Sequence, residues 1–170
     1  PSISRRAGTT MSARTSSTPS AEHRQRGARA AFSTSHRRLL ALCHQLEEFA
    51  DALPNRLDQA RCGKVAKTML PLLKACHATE ERLIDGMDAS RKRKLAASIV
   101  RLMSEHLRDQ YFAEDIVEAL GQVSDDESSP NPEAFGFMLR SFFETQRRHI
   151  AFEQEHIVPH LPDQPQVSGQ

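Results

Sequence analysis

The spacing of the apolar residues is the feature that most constrains the fold of this chain. Between two polar ends, apolar residues recur with helical periodicity in four segments, and no segment shows the alternation of a β-strand. Proline, glycine and one Ser/Asp/Pro-rich stretch separate these segments. We place the segments at about 30–53, 58–87, 90–121 and 132–158.

Four helices with short connections predict an all-α fold, an antiparallel up-down-up-down four-helix bundle. Pro71, inside the second segment, predicts a kink or a break there.

A length of 170 residues suits one domain. No apolar run is long enough to cross a bilayer, so we expect no membrane partner. The three cysteines do not pair off evenly, which favours free thiols in a reducing compartment, the cytoplasm.

The charge is distributed unevenly along the chain. Six arginines and one glutamate lie within residues 1–29, whereas the whole chain has a net charge of only +1. We interpret 1–29 as a disordered basic tail, 30–159 as the folded domain and 160–170 as a polar tail. The basic tail has no zinc-finger spacing and no aromatic-interleaved basic patch, so no nucleic-acid partner is expected.

Each of the four apolar stripes is interrupted by a histidine, and in two stripes a glutamate follows four residues later. A single buried histidine is usually a hydrogen-bonded core residue, but four such interruptions need a common explanation, because buried polar groups are costly without partners. At about 1.5 Å of rise per residue, their positions allow the four histidines to occupy one layer of the bundle. The interrupting residues are His36, His77 with Glu81, His106, and His149 with Glu153.

The first segment offers two histidines, and their positions separate them. His44 would lie roughly 13 Å from the layer of His77, and it points away from the apolar face. His36 is therefore the predicted site residue and His44 a surface residue.

Two His-x3-Glu pairs each present an imidazole and a carboxylate on one helical face, as His77 with Glu81 and His149 with Glu153. Imidazole and carboxylate together suit iron, manganese or zinc. Both glutamates could bridge two metals, with the four histidines as terminal ligands and coordination positions left open. Glu153 and His156 also form a Glu-x-x-His, but the ferritin-like class needs that motif twice, and whether His156 joins the site stays open.

With these motifs the chain resembles the hemerythrin-like proteins, or HHE cation-binding domains, over about residues 30–160. The resemblance rests on His36 in SHRRLLALCHQLEEFADALP and on the motifs HATEE, SEHLRDQ and RRHIAFEQEH. It implies a four-helix bundle holding two non-haem iron ions per chain, oxo- or hydroxo-bridged, that handle O2, NO or redox signals. The implied metal ligands are His36, His77, Glu81, His106, His149 and Glu153.

One departure separates this chain from oxygen-carrying hemerythrins. Their third helix has His-x3-His, but here the residue four positions after His106 is Gln110. The resulting four histidines and two glutamates look more like the iron-sulfur-repair and NO-responsive branch. However, residues 1–35 contain no cysteine, whereas those repair proteins have a Cys-bearing N-terminal segment.

The resemblance implies a di-iron protein that binds or senses O2, NO or a related redox signal, with a small diatomic molecule as its ligand and no catalytic residue assigned. One alternative is a di-iron enzyme acting on peroxide or NO, or in iron-sulfur repair. Another is a metal-free or zinc-bound helical adaptor. The same ligand set takes manganese or zinc, and the sequence leaves the protein partner, the oligomeric state and the role of the tail open.

Overall fold

A computed structural model describes residues 21–125 and 130–161 of the chain, with their side chains from residue 30 onward. Within these ranges the chain is helical and has no β-strand, which confirms the predicted all-α class. Five α-helices are described instead of the four predicted, because the third segment is divided into a short helix and a long one. The α-helices are α1 (Ala21–Ala52), α2 (Gln59–Asp85), α3 (Ala89–Lys94), α4 (Ala96–Ser124) and α5 (Pro132–His156), followed by a 3-10 turn over Val158–His160.

Side-chain caps fix several helix starts. Asp58 accepts a hydrogen bond from the backbone N–H of Arg61 at the start of α2. Asn131 caps α5 in the same way, with Pro132 in the first turn, where a missing N–H costs nothing. The helix α2 continues through Pro71, so of the two predicted effects the break is absent and the kink stays a prediction.

The break between α3 and α4 lies at Leu95, where the sequence has neither proline nor glycine to mark it. Leu95 leaves helical geometry with φ −96° and ψ 7°. Its side chain is buried in a small apolar cluster that includes Ile84 and Ile157. Tertiary packing therefore accompanies a break that helical periodicity did not reveal.

The ends of the domain also differ from the sequence-based boundaries. The helix α1 begins at Ala21, so residues 21–29 of the predicted disordered tail have helical backbone. Leu161, placed in the predicted C-terminal tail, is buried, so the folded part extends at least to this residue. Residues 1–20 and 162–170 of the predicted tails lie outside the described residues.

The four long helices contact one another in a ring, in which α1 and α4 each pack against both α2 and α5. Gly63 near the start of α2 lies so close to Ser124 at the end of α4 that a Cβ atom there would be 2.5 Å from the Ser124 Oγ. Farther along α2, His77 stacks on His106 of α4. Contacts thus run in opposite order along the two helices, as they do between antiparallel neighbours. Contacts between α1 and α5 also run in opposite order along the two helices. They join Ala50 to Arg140, Glu47 to Arg147 and His36 to Glu153.

Two apolar clusters fill the bundle and enclose a polar layer between them. The larger includes Leu73 of α2, Ala113 of α4 and Phe142 of α5. The smaller includes Ile84 and Leu102 on α2 and α4.

All three cysteines are free and buried. No described helix is both long and apolar enough to cross a membrane.

Candidate metal centre

The polar layer consists of eight buried polar or charged side chains among the described residues. Burying so many of these groups is costly unless each has a partner or a ligand. The helices α1, α2, α4 and α5 all contribute to the layer, which therefore depends on the packing of the whole bundle. Its members are His36, His77, Glu80, His106, Asp109, Gln146, His149 and Glu153.

One part of the layer gathers three imidazoles around a carboxylate. The rings of His77 and His106 stack with centroids 3.9 Å apart. The Glu80 Oε2 lies 3.1 Å from Nε2 of His106 and 4.0 Å from Nε2 of His149. Ligand atoms from these four residues all lie within 4.8 Å of one another, so one cation could contact all four.

A second group adjoins the first and shares Glu80 with it. Nε2 of His36 lies 2.8 Å from Glu153 Oε2 and 3.8 Å from Glu80 Oε1. Ligand atoms of these three residues also lie within 4.8 Å of one another. The two oxygens of Glu80 therefore face two different groups, which is the position of a bridging carboxylate.

Many atoms that face the centre of this layer have no hydrogen-bond partner among the described residues. They are Nε2 of His77, His106 and His149, both carboxylate oxygens of Glu80 and Oε1 of Glu153. A buried polar atom without a partner costs roughly 1–3 kcal/mol. These atoms are nitrogen and oxygen donors that converge in space, and bound cations would satisfy them. The residues present therefore fit a metal centre.

Three of the imidazoles are held from their outer sides. Nδ1 of His106 lies 2.9 Å from Glu81 Oε1, and Nδ1 of His149 lies 3.2 Å from Glu105 Oε2. The Gln110 amide lies 3.4 Å from Nδ1 of His77. For His106 and His149, whose outer partners are carboxylates, an Nδ1–H that donates outward leaves the lone pair of Nε2 directed inward, as metal-binding histidines require.

Burial and neighbouring charges shift the pKa values of the layer strongly. Burial lowers the pKa of His77 to about 3, and the charge of His106 acts in the same direction. Burial also acts to lower the pKa of His149, but the nearby carboxylate of Glu80 and the charge of Glu153 outweigh it and raise this pKa to about 9. The nearby imidazoles of His106 and His149 likewise outweigh the burial of Glu80 and lower its pKa to about 2. Without metal, protons on imidazole therefore balance the Glu80 charge.

The structure places five of the six predicted site residues in this layer, namely His36, His77, His106, His149 and Glu153. It places Glu81 outside, with 43% of its side chain exposed, against the outer side of His106. Glu80, which the sequence analysis did not select, takes the inner position. Residues three and four positions after a histidine both lie near its face of a helix, so the motif alone did not distinguish the two.

Other polar residues separate clearly by burial. The side chains of His44 and His156 are 70% and 45% exposed, so both lie outside the layer. Asp109 is buried with its Oδ2 3.9 Å from Nδ1 of His149, and burial raises its pKa. Gln146 is also buried, and its side-chain amide has no hydrogen-bond partner among the described residues. No spacing signal in the sequence pointed to Gln146.

Comparison with known proteins gives one family. The family model described as the hemerythrin HHE cation binding domain matches residues 28–161. No curated protein and no solved structure matches the chain. The matched range contains every residue of the polar layer.

Proposed function

The chain belongs to the hemerythrin HHE cation-binding domain family, and from that premise we propose that its polar layer holds two metal ions, with iron as the physiological metal. One observation carries the proposal. The two groups of converging ligand atoms share a single residue, Glu80, whose two oxygens face different groups. A shared carboxylate between two adjacent clusters favours a dinuclear centre over a single ion.

The proposed ligands divide unequally between the two ions. His77, His106 and His149 would bind the first ion together with one oxygen of Glu80. His36 and Glu153 would bind the second ion together with the other oxygen of Glu80. The first ion would thus have four protein ligands and the second ion three. Iron commonly has about six ligands, so coordination positions would remain for small molecules.

Glu81 has a different role in this proposal from the bridging role that the sequence suggested. Its carboxylate holds the outer nitrogen of His106, as Glu105 holds that of His149. Such outer partners fix the ring orientation and increase the basicity of the inner nitrogen. We therefore assign Glu81 and Glu105 as positioning residues for the imidazoles.

The proposed centre joins four helices that we interpret as an up-down-up-down bundle. Its ligands come from α1, α2, α4 and α5, so bound metal would link all of the long helices. The apolar clusters on either side limit the access of water to the layer. Metal binding is therefore expected to stabilise the fold.

We propose that the loaded protein binds or senses O2, NO or a related redox signal. A bound iron pair would supply direct coordination of diatomic molecules and redox chemistry. The chain itself supplies rigidly held imidazoles, a buried anionic carboxylate and an apolar surrounding. These features suit the binding of a small neutral molecule.

Elemental analysis of the purified protein, produced with and without added iron, tests the metal proposal. About two iron ions per chain are expected for a dinuclear centre of this kind. His77→Ala should lose most of this metal, whereas His44→Ala, which changes an exposed histidine on α1, should retain it. One ion per chain, zinc in place of iron, or equal metal in both variants would contradict the proposal.

The role in small-molecule binding needs a separate test. NO and O2 are titrated into the iron-loaded protein while the visible absorption spectrum is followed. Saturable spectral changes that are absent from the metal-depleted protein would support a binding or sensing role. An unchanged spectrum in a protein with full iron content would overturn that role and leave the metal proposal standing.

A further inference from the structure

The outer face of α4 has a row of large apolar side chains exposed to solvent. Val100, Leu107 and Tyr111 are 69%, 57% and 63% exposed. Their spacing of seven and then four residues aligns them on one side of the helix, roughly opposite the buried side that carries Leu102, Ala113 and Leu120. We call these three residues the outer stripe. An aligned apolar row with this spacing is typical of a helix that packs against another helix.

Exposed charges along the stripe are separated by sign. Basic residues lie toward the N-terminal half of α4, where Arg108 is exposed and Arg101 forms an ion pair with Glu105 of the same helix, and the preceding α3 has the sequence ASRKRK. The exposed acidic residues lie in the C-terminal half. They are Glu114, Asp115 and Glu118. The face is therefore positive at one end, apolar near the middle and negative at the other end.

We propose that the outer stripe binds the outer stripe of a second copy of this chain, with the two α4 helices antiparallel. A twofold-symmetric interface must be complementary to itself. Antiparallel pairing places the basic half of each α4 against the acidic half of its partner and brings Leu107 and Tyr111 together near the centre. Parallel pairing would place like charges together, which is unfavourable.

The proposed dimer does not depend on the metal centre. The stripe is exposed whereas His106 is buried, so the interface leaves the proposed metal ligands inside each bundle. The interface has few large apolar side chains in each copy, so we expect a dissociation constant in the micromolar range rather than permanent association.

Sedimentation velocity of the full chain over a range of concentrations tests the proposal. The wild-type protein should convert from monomer to dimer as its concentration rises. Leu107→Glu should weaken association by about tenfold or more, because it places two charges at the centre of the interface. Phe137→Glu is the matched control, since Phe137 on α5 is 73% exposed but lies outside the stripe. It should associate like the wild type, and circular dichroism checks that both variants are folded.

Charge exchange tests the orientation of the helices. Arg108→Glu and Asp115→Arg should each weaken the dimer, because each places like charges across the interface. The double variant should recover association, since opposite charges again face each other between copies. A monomeric wild type, equal weakening by Leu107→Glu and Phe137→Glu, or no recovery in the double variant would overturn the antiparallel dimer.

Discussion

Glu80 lies on the inner side of His106, with its Oε2 3.1 Å from the ring's Nε2. The next residue, Glu81, contacts Nδ1 on the outer side of the same ring at 2.9 Å. Two carboxylates adjacent in sequence thus approach opposite nitrogens of one imidazole. The inner carboxylate is buried and the outer one is partly exposed, so the two have different roles in the proposed centre.

Glutamine substitutions should separate these roles. Glu80→Gln removes the charge that both proposed ions share, and we expect it to lose most of the bound metal. Glu81→Gln weakens only the orientation of His106, which commonly costs about 10–100-fold in metal affinity. Its metal content should therefore be restored by excess metal. Elemental analysis and competition with a chelator measure both effects. Greater loss in Glu81→Gln would assign the bridge to the outer carboxylate instead.

Removing metal should destabilise the protein. Since the ligands come from four helices, metal at about 100 times its dissociation constant would stabilise the native state by about 2.7 kcal/mol. For a domain of this size, that corresponds to roughly 5–10 °C in the melting temperature. Thermal unfolding followed by circular dichroism, with and without a chelator, measures this shift. His77→Ala serves as the control and should respond little to the chelator. An unchanged wild-type melting temperature would argue against metal as a structural link.

Metal binding should compete with protons near neutral pH. In the metal-free protein the pKa of His149 is raised to about 9, so this imidazole is protonated at pH 7. Its contribution to stability is present below the unfolded pKa of about 6.5 and is lost as pH rises through about 9. A metal binds only the neutral ring, so affinity should increase with pH toward about 9 and binding should release protons. Calorimetric titration with Mn²⁺ in buffers of different ionisation enthalpy measures that release. Metal affinity that decreased with rising pH would contradict competition between metal and protons for this ring.

The cysteines should react slowly in the folded protein. Burial raises the pKa of Cys43 to about 12 and those of Cys62 and Cys76 to about 11. The reactive thiolate is therefore scarce at neutral pH and poorly accessible. A colorimetric thiol reagent should label all three residues after unfolding but few in the native state. Labelling should be faster after chelation, because the fold opens more often without its metal. Rapid labelling of the native, metal-loaded protein would show that a cysteine lies on the surface.

Helical periodicity predicted the long helices because each buries one predominantly apolar face. It did not predict the interruption at Leu95, where a buried side chain rather than a proline or glycine accompanies the break. It also predicted an effect of Pro71 that the helix accommodates without a break. Local sequence signals thus placed the helices well and their interruptions less well.

The sequence by itself determined that four helical segments each bring a histidine to an otherwise apolar face, because that depends only on the spacing of side chains around a helix. Tertiary structure decided which carboxylates join them. Glu80 and Glu81 flank the same helical face, and the rotation of α2 against its neighbours determined which one became buried. Packing of α4 against α5 likewise buried Asp109 and Gln146. These outcomes depend on the relative rotation of whole helices, which the spacing within one helix does not fix.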